Sequence, residues 1–183
     1  MEGLPIPAAV AEKARAIRLL ACDVDGVFTD GSLQFQAAGD AVTETKTFSI
    51  LDGFGVKLLQ ETGVAVALIT GRRSTIVAHR AREMGVRHVI QGCEDKKAAW
   101  SSLLAELALR PEQSAYIGDD WPDLAVIRAC GLGITVPNAP ERLRRHAHHV
   151  TRAAGGAGAV REVCELIMDA QGTLEARFEA WLQ

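Results

Sequence analysis

Ile17-Arg18-Leu19-Leu20-Ala21-Cys22-Asp23-Val24-Asp25-Gly26, residues 17–26, is the stretch on which the fold reading turns. Apart from Arg18 it is apolar as far as Cys22, and it then stops on two carboxylates and a glycine. A short apolar run closed by a turn reads as a buried strand. Runs of the same kind recur at Val64 to Thr70 before Gly71-Arg72, at Arg87 to Ile90 before Gln91-Gly92, and at Ser114 to Ile117 before Gly118-Asp119-Asp120. Leu132 to Val136, before Pro137-Asn138, is a fifth, and His149-Val150-Thr151 is a last candidate. Between them, Gly53 to Glu61, Ser74 to Met84, Lys96 to Leu109 and Pro122 to Ala129 carry apolar residues at helical spacing. Strand and helix in alternation predict an α/β fold, a doubly wound (Rossmann-like) parallel sheet with helices on both faces. Ligands bind such sheets outside the carboxyl ends of the strands. Asp23/Asp25, Thr70/Gly71/Arg72 and Asp119/Asp120 all fall at predicted strand ends, so the fold would gather them at one rim.

One segment breaks the rhythm. Leu33 and Phe35, then Val42, Thr43, Thr45 and Thr47, flank Ala37-Ala38-Gly39-Asp40, which predicts a β-hairpin inserted over about residues 30–48. The insertion is too short to be a large cap domain. The tail, about 152–183, starts as a Gly/Ala-rich loop (Thr151 to Gly158) and continues into two predicted helices, Val160 to Ala170 and Thr173 to Leu182. Leu174, Phe178, Trp181 and Leu182 share one face of the second and are expected to dock on this or a partner subunit. A length of 183 residues suits one domain spanning 1–183.

Composition is that of an ordinary globular protein, with 48% hydrophobic and 23% charged residues. A net charge of −3 predicts no nucleic-acid partner. No apolar run approaches the ~20 residues of a membrane helix, and the N-terminal MEGLPIPAAVAEKARAIRLL does not read as a signal peptide. No membrane partner and a cytoplasmic location are therefore expected. Cys22, Cys93, Cys130 and Cys164 form no C-x-x-C pair and read as free thiols. His146, His148 and His149, beside Arg142, Arg144 and Arg145, read as a surface or helix-end group in preference to a metal tract.

Two acidic pairs at one sheet rim are costly unless a cation neutralises them, and hard oxygen ligands suit Mg²⁺. An aspartate carboxylate can attack phosphorus, and a second carboxyl can move the proton. With Lys96 and Thr70 as donors, the set makes a phosphoryl-transfer site. A phospho-receiver signalling domain also brings acids, Thr and Lys to strand ends, but its phosphorylated aspartate follows the third strand, whereas here the pair follows the first. A catalytically silent homologue is the other alternative, and the presence of every chemical residue counts against it.

The sequence resembles the haloacid dehalogenase-like superfamily through DVDGVFTDG at 23–31, ITGR at 69–72, DK at 95–96 and GDDWPD at 118–123. Within it, Asp52-Gly53-Phe54-Gly55, Gln91-Gly92 and HHVTRAAGGAGAVREVCELIMDAQG at 148–172 resemble the 3-deoxy-D-manno-octulosonate 8-phosphate phosphatases, and the likeness runs from Ile17 to Gly172. It implies a Mg²⁺-dependent phosphatase of lipopolysaccharide biosynthesis, acting on a phosphorylated sugar acid through an aspartyl-phosphate. By that resemblance Asp23 is the nucleophile and a metal ligand, and Asp25 is the general acid/base with its carbonyl on the metal. Asp119 is the remaining protein ligand, with Asp120 just behind it. Thr70, Gly71 and Lys96 hold the phosphoryl group, and Asp123 orients its neighbours. Asp25, Ser49, Asp52, Gly53, Lys57, Arg72 and Arg80 surround the substrate. The likeness further implies a homotetramer, in which the hairpin helps to cover a neighbour's site and the tail near Gly155-Gly156 closes over an adjacent one. One position departs: Leu51 stands where octulosonate-type members usually carry an arginine. This keeps open a related nine-carbon keto-deoxy sugar acid phosphate as substrate.

Overall fold

A computed structural model describes residues 6–182. The first five residues of the N-terminal reading, and Gln183 at the end of the expected 1–183 domain, lie outside the described residues. The chain runs α1 (Ala8–Arg15), β1 (Leu19–Cys22), β2 (Gln34–Ala38), β3 (Ala41–Thr45), α2 (Ile50–Glu61), β4 (Ala65–Thr70), α3 (Thr75–Glu83) and β5 (His88–Gln91). It continues through α4 (Lys96–Glu106), β6 (Ser114–Gly118), α5 (Leu124–Ala129), β7 (Leu132–Thr135), α6 (Glu141–Arg144), β8 (His149–Val150), α7 (Ala159–Ala170) and α8 (Leu174–Glu179).

Six strands form one parallel sheet in the order β5-β4-β1-β6-β7-β8. β1 lies inside it with every residue buried, which is why its sequence is continuously apolar and not alternating. From β1 the chain steps outward through β4 and β5, then returns to β6 on the other side and goes on to β7 and β8. The reversal places the crevice of the sheet at the carboxyl end of β1, beside Asp23. α1 and α2 both pack against α7 as one helical layer, and α4 packs on α5 as another. Trp100 belongs to this packing: it is buried, and its Nε1–H donates to Ser114 Oγ at 3.3 Å. Cys22, Cys130 and Cys164 are buried free thiols, and Cys93 is free and half-buried.

The expected hairpin is β2 paired antiparallel with β3. Ala38 faces Ala41, so Gly39-Asp40 form a two-residue loop, and Gly39 takes φ +62°, the left-handed region such a loop demands. α2 starts earlier than the expected Gly53 because Ser49 caps it, its Oγ accepting from the Leu51 N–H at 3.2 Å. α5 starts later than Pro122, after a 3₁₀ turn over Trp121–Asp123. α1 and α6 go beyond the expected pattern; both are short and bury few side chains, among them Val10, Ala14 and Leu143.

The tail differs from expectation in the length of its last helix. The final helix is α8, shorter than 173–182. Of its proposed face only Leu174 packs on the core, while Phe178, Trp181 and Leu182 are exposed. What fixes α8 is its own α2: Arg177 pairs with Glu61 at 2.8 Å, and the Trp181 ring meets Phe54 edge-on at 5.3 Å. The Gly/Ala-rich stretch packs against the loop after β1 of its own chain. The Gly156 N–H donates to Val27 O at 3.0 Å, and a Cβ on Gly155 would sit 1.9 Å from Gly26 O.

That close approach is testable against a glycine in open space. Gly63 has φ +89° with nothing near its absent Cβ, so Gly63→Ala should cost about 1 kcal/mol. Gly155→Ala forces backbone apart and should cost about 2–3 kcal/mol. Urea unfolding of the two variants compares them directly; equal losses would remove the packing argument.

Candidate active site

The sheet register brings the acidic strand ends together. Cys22 of β1 lies beside Leu68 of β4 and Ile117 of β6, so Asp23 and Val24 come level with Thr70 on one side and Gly118-Asp119 on the other. Asp23 is only 6% exposed. Lys96, the first residue of α4, reaches the same point because Asp95 caps that helix, accepting from the Ala98 N–H at 2.9 Å. Its Nζ lies 2.9 Å from Asp23 Oδ1 and 2.7 Å from Asp123 Oδ1. Asp123 is also fully buried. Tyr116 Oη donates to its Oδ1 at 2.6 Å, and the Asp119 and Asp120 N–H groups donate to its Oδ2 at 3.1 and 3.2 Å.

Oxygens of Asp23, Asp119 and Asp123 all lie within 4.8 Å of one another, the one such cluster among the described residues. Burial pushes the Asp23 carboxyl up, Asp123 adds to this, and Lys96 opposes it; the balance is about 8. Burial and Asp123 likewise raise Asp119 to about 6. Lys96 is lowered by burial, but Asp23 and Asp123 outweigh that and raise it. One ammonium therefore serves three crowded carboxylates, and the site lacks positive charge. A hard divalent cation fits this deficit. Asp123 already accepts four hydrogen bonds, which leaves Asp23 and Asp119 as the side chains to hold such an ion. Gly26 makes this approach possible: with φ +86° and no side chain, it leaves the space where a Cβ would stand 2.0 Å from Asp119 Oδ2.

Asp25 sits just beyond, its side chain partly exposed. Lys46, from the segment after β3, pairs with its Oδ1, and Arg72 Nε stands 3.9 Å from its Oδ2. Thr70 is buried with its Oγ1 accepting from the Arg72 N–H at 3.2 Å, so its hydroxyl hydrogen is left to donate into the rim. Gly71 is exposed beside it. Asp120 does not converge with the others. It is exposed, and its carboxylate accepts from the Trp121 N–H at 2.8 Å, capping the following turn. Its charge still bears on Asp119, adding to the rise of that carboxyl. Trp121 is exposed next to it.

The expected substrate residues divide. Ser49, Gly53, Lys57 and Arg80 lie where α2 meets α3. Arg80 Nη2 donates to Ser49 O at 3.2 Å, and its guanidinium lies 6.0 Å from the Phe48 ring centre. It crosses α2 where Gly53 has no side chain, since a Cβ there would be 2.2 Å from Nη2. Ile50, Gly53, Phe54, Lys57, Arg80 and Met84 line a cavity of about 160 Å³, and Arg80 Nε is buried there without a partner. Leu51 is exposed in the first turn of α2. Asp52 is a correction. It is wholly buried, and its carboxylate accepts from the Gly158 and Arg161 N–H groups at 3.3 and 2.8 Å, so it fastens the start of α7 and faces no substrate.

The histidines are separately engaged: His148 Nδ1 accepts from the Gly133 N–H at 2.9 Å, and His149 Nε2 lies 3.8 Å from Glu162. Lys46, Glu44 and Tyr116 are site residues absent from the sequence expectations. Glu44 and Lys46 left a signal, being charged residues two apart in a strand-like run with threonines between.

A family model described as haloacid dehalogenase-like hydrolase matches residues 88–162. The 3-deoxy-D-manno-octulosonate 8-phosphate phosphatase KdsC of Yersinia pestis is 46% identical over 171 residues, 93% of this chain and 90% of its own. The chain belongs to the 3-deoxy-D-manno-octulosonate 8-phosphate phosphatase family of haloacid dehalogenase-like hydrolases. A member of this family from Moraxella catarrhalis, crystallised with a magnesium ion, a phosphate ion and a KDO molecule, superposes with a TM-score of 0.92 at 44% identity, covering 97% of this chain and 100% of its own. A YrbI family phosphatase structure from Pseudomonas syringae gives the same TM-score at 51% identity, over 96% of this chain and 98% of its own.

Raised carboxyls have a consequence that needs no substrate. Asp23 titrates near 3.8 when unfolded and about 8 when folded. The stability it contributes is full below pH 4 and is lost as pH rises through about 8. Added Mg²⁺ needs ionised ligands, so its stabilising effect should run the other way. The melting temperature gained with Mg²⁺ is expected to grow from pH 5.5 to pH 8.5, and the gain should vanish in Asp119→Asn. A gain independent of pH would show that these carboxyls do not hold the ion.

Proposed function

We propose that this protein hydrolyses a phosphorylated sugar acid, 3-deoxy-D-manno-octulosonate 8-phosphate, through an aspartyl-phosphate on Asp23. The observation that carries the reading is the Lys96 ammonium set between Asp23 and Asp123, with Asp119 alongside, at the rim where β1 ends. It is joined to the family membership and to the names its relatives bear.

Asp23, Asp119 and the Asp25 backbone carbonyl would hold Mg²⁺, which when bound screens the carboxylate nucleophile from the phosphate dianion. An Asp23 carboxylate oxygen attacks phosphorus. The bond from phosphorus to the sugar oxygen breaks, and its electron pair leaves on that oxygen, which takes a proton from Asp25. Water then attacks the aspartyl-phosphate, giving its proton to Asp25 and releasing phosphate and the Asp23 carboxylate. Lys96, the Thr70 hydroxyl and the Gly71 N–H meet the phosphoryl oxygens. Asp123 keeps Lys96 in place. Assembly as a homotetramer accompanies this reading: Leu33, Phe35 and Val42 leave an apolar face of the hairpin exposed, suited to another copy of the chain. A cytoplasmic location fits the substrate; no helix of the described residues is long and apolar enough to cross a membrane.

A second reading, a nine-carbon keto-deoxy sugar acid phosphate, is kept open by Leu51. An exposed leucine cannot make the bidentate contact of an arginine with the substrate carboxylate. That contact then falls to Arg80, Lys57 and Arg72.

The deciding experiment is a turnover screen with Mg²⁺ over eight- and nine-carbon sugar acid phosphates and simple sugar phosphates. Asp23→Asn should lose at least about 10³-fold in kcat on every ester that turns over. Survival of activity in that variant would overturn the mechanism. A preference for the nine-carbon ester selects the second reading. If Arg80 reads the acid end, Arg80→Gln should raise KM about 10-fold for sugar acid phosphates, while p-nitrophenyl phosphate, which has no carboxylate, keeps its KM. An equal rise for both would place Arg80 in scaffold packing.

A further inference from the structure

We propose that Lys46 is a positioning residue for Asp25, fixing which carboxyl oxygen faces the reacting groups in the proposed hydrolysis, a step that rests on the function inferred above. Lys46 comes from the root of the hairpin, twenty-one positions along the chain from Asp25. Its side chain is 1% exposed, against the habit of lysine, which stays solvated unless paired. The pairing explains the burial: Nζ holds Asp25 Oδ1 and lies 3.4 Å from Glu44 Oε1. Glu44 in turn takes Arg72 Nη2 at 2.5 Å. Burial would raise the Glu44 carboxyl, but the Arg72 and Lys46 contacts outweigh it and hold Glu44 below its ordinary range.

Glu44 and Lys46 lie at the root of the hairpin on the face that Phe35 and Val42 continue towards its tip. Glu44, Lys46 and Phe48 alternate with Thr43, Thr45 and Thr47, and only the threonines are exposed. Lys46 is anchored on both sides, by β3 ending at Thr45 and by the Ser49 cap of α2 three residues on. Asp25 stands where β1 has ended, in a turn whose Val24 carbonyl accepts from the N–H groups of Val27, Phe28 and Thr29, so its backbone is held and its side chain is what Lys46 can orient. With Oδ1 taken by Lys46, Oδ2 is the oxygen left to face the reacting groups, and Arg72 approaches it only to 3.9 Å. Through Oδ2 the proton reaches the leaving sugar oxygen as the phosphorus–oxygen bond breaks, and Oδ2 later takes a proton from the attacking water. The hairpin thereby serves the site of its own chain.

The test contrasts leaving groups. The value of kcat/KM covers steps only up to departure of the alcohol, and p-nitrophenolate departs without a proton. Lys46→Met should lower kcat/KM about 30- to 100-fold on the preferred sugar acid phosphate. On p-nitrophenyl phosphate the loss should stay within about threefold, with Lys46→Arg recovering most of the activity. Added to Asp25→Asn, Lys46→Met should cost nothing further, as expected of residues acting through one another. Equal losses on the two esters would make Lys46 a phosphate contact, and additive losses in the double variant would uncouple it from Asp25; either result overturns the proposal, as does no loss at all. Melting temperatures of each variant identify a folding defect, and Lys46→Gln carries the contrast if Lys46→Met does not fold. The underlying reading fails separately, through activity retained in Asp23→Asn.

Discussion

The buried ammonium of Lys96, held between Asp23 and Asp123, is the interaction on which the rest of the site depends. A buried ion pair contributes little to stability by itself, because desolvation offsets most of the attraction. Breaking one, however, leaves an uncompensated charge in the sheet rim. Asp123 is the more rigid side of the bridge. Its two oxygens collect Lys96, Tyr116 and the N–H groups of Asp119 and Asp120, so one carboxylate ties α4, β6 and the loop after β6 to the same point. Asp23 then receives a lysine that is already placed, and shares with Asp119 a need for positive charge that one ammonium cannot meet.

Backbone approach does the remaining positioning. Asp119 reaches Asp23 only because Gly26 has no side chain, and the loop carrying Gly26 is backed by Gly155 and Gly156. That glycine stretch is fixed in turn by Asp52, whose buried carboxylate collects N–H groups at the start of α7. Asp52 sits in the first turn of α2, the helix that also presents Ser49, Gly53 and Lys57. The helical layer of α2 and α7 thus joins the expected substrate end of the site to the nucleophile loop. The family segment Asp52-Gly53 owes its residue types to this support: one holds α7, and the other lets Arg80 cross.

The fold was legible in the sequence because its signal is periodic and local. Apolar runs ending on Asp, Thr-Gly or Gly-Asp place β1, β4 and β6, and helical spacing supplies α2 to α5. Element ends were less legible, since they depend on caps such as Ser49 and on the 3₁₀ turn at Trp121–Asp123. At the site, Asp23, Thr70 and Asp119 could be gathered from strand ends alone, whereas Lys96 opens a helix. The partners of Asp25 could not, because Lys46 and Arg72 approach it from different elements and only pairing in space joins them. Asp52 shows the reverse error: an acid beside an informative motif, it spends its oxygens on backbone N–H groups.

Leu51 bears on how the acid end of a substrate is read. An arginine in the first turn of α2 would add a cation at an exposed position, and Leu51 adds none. With leucine there, Arg80 keeps a buried Nε without a partner, in a cavity whose other walls are largely apolar. That atom lies below the surface a ligand can touch, so an anion in the cleft would meet other atoms of Arg80 and the Lys57 side chain. Under the function proposed above, reading of the acid then rests on these two cations of the cleft between α2 and α3, and not on the exposed start of α2.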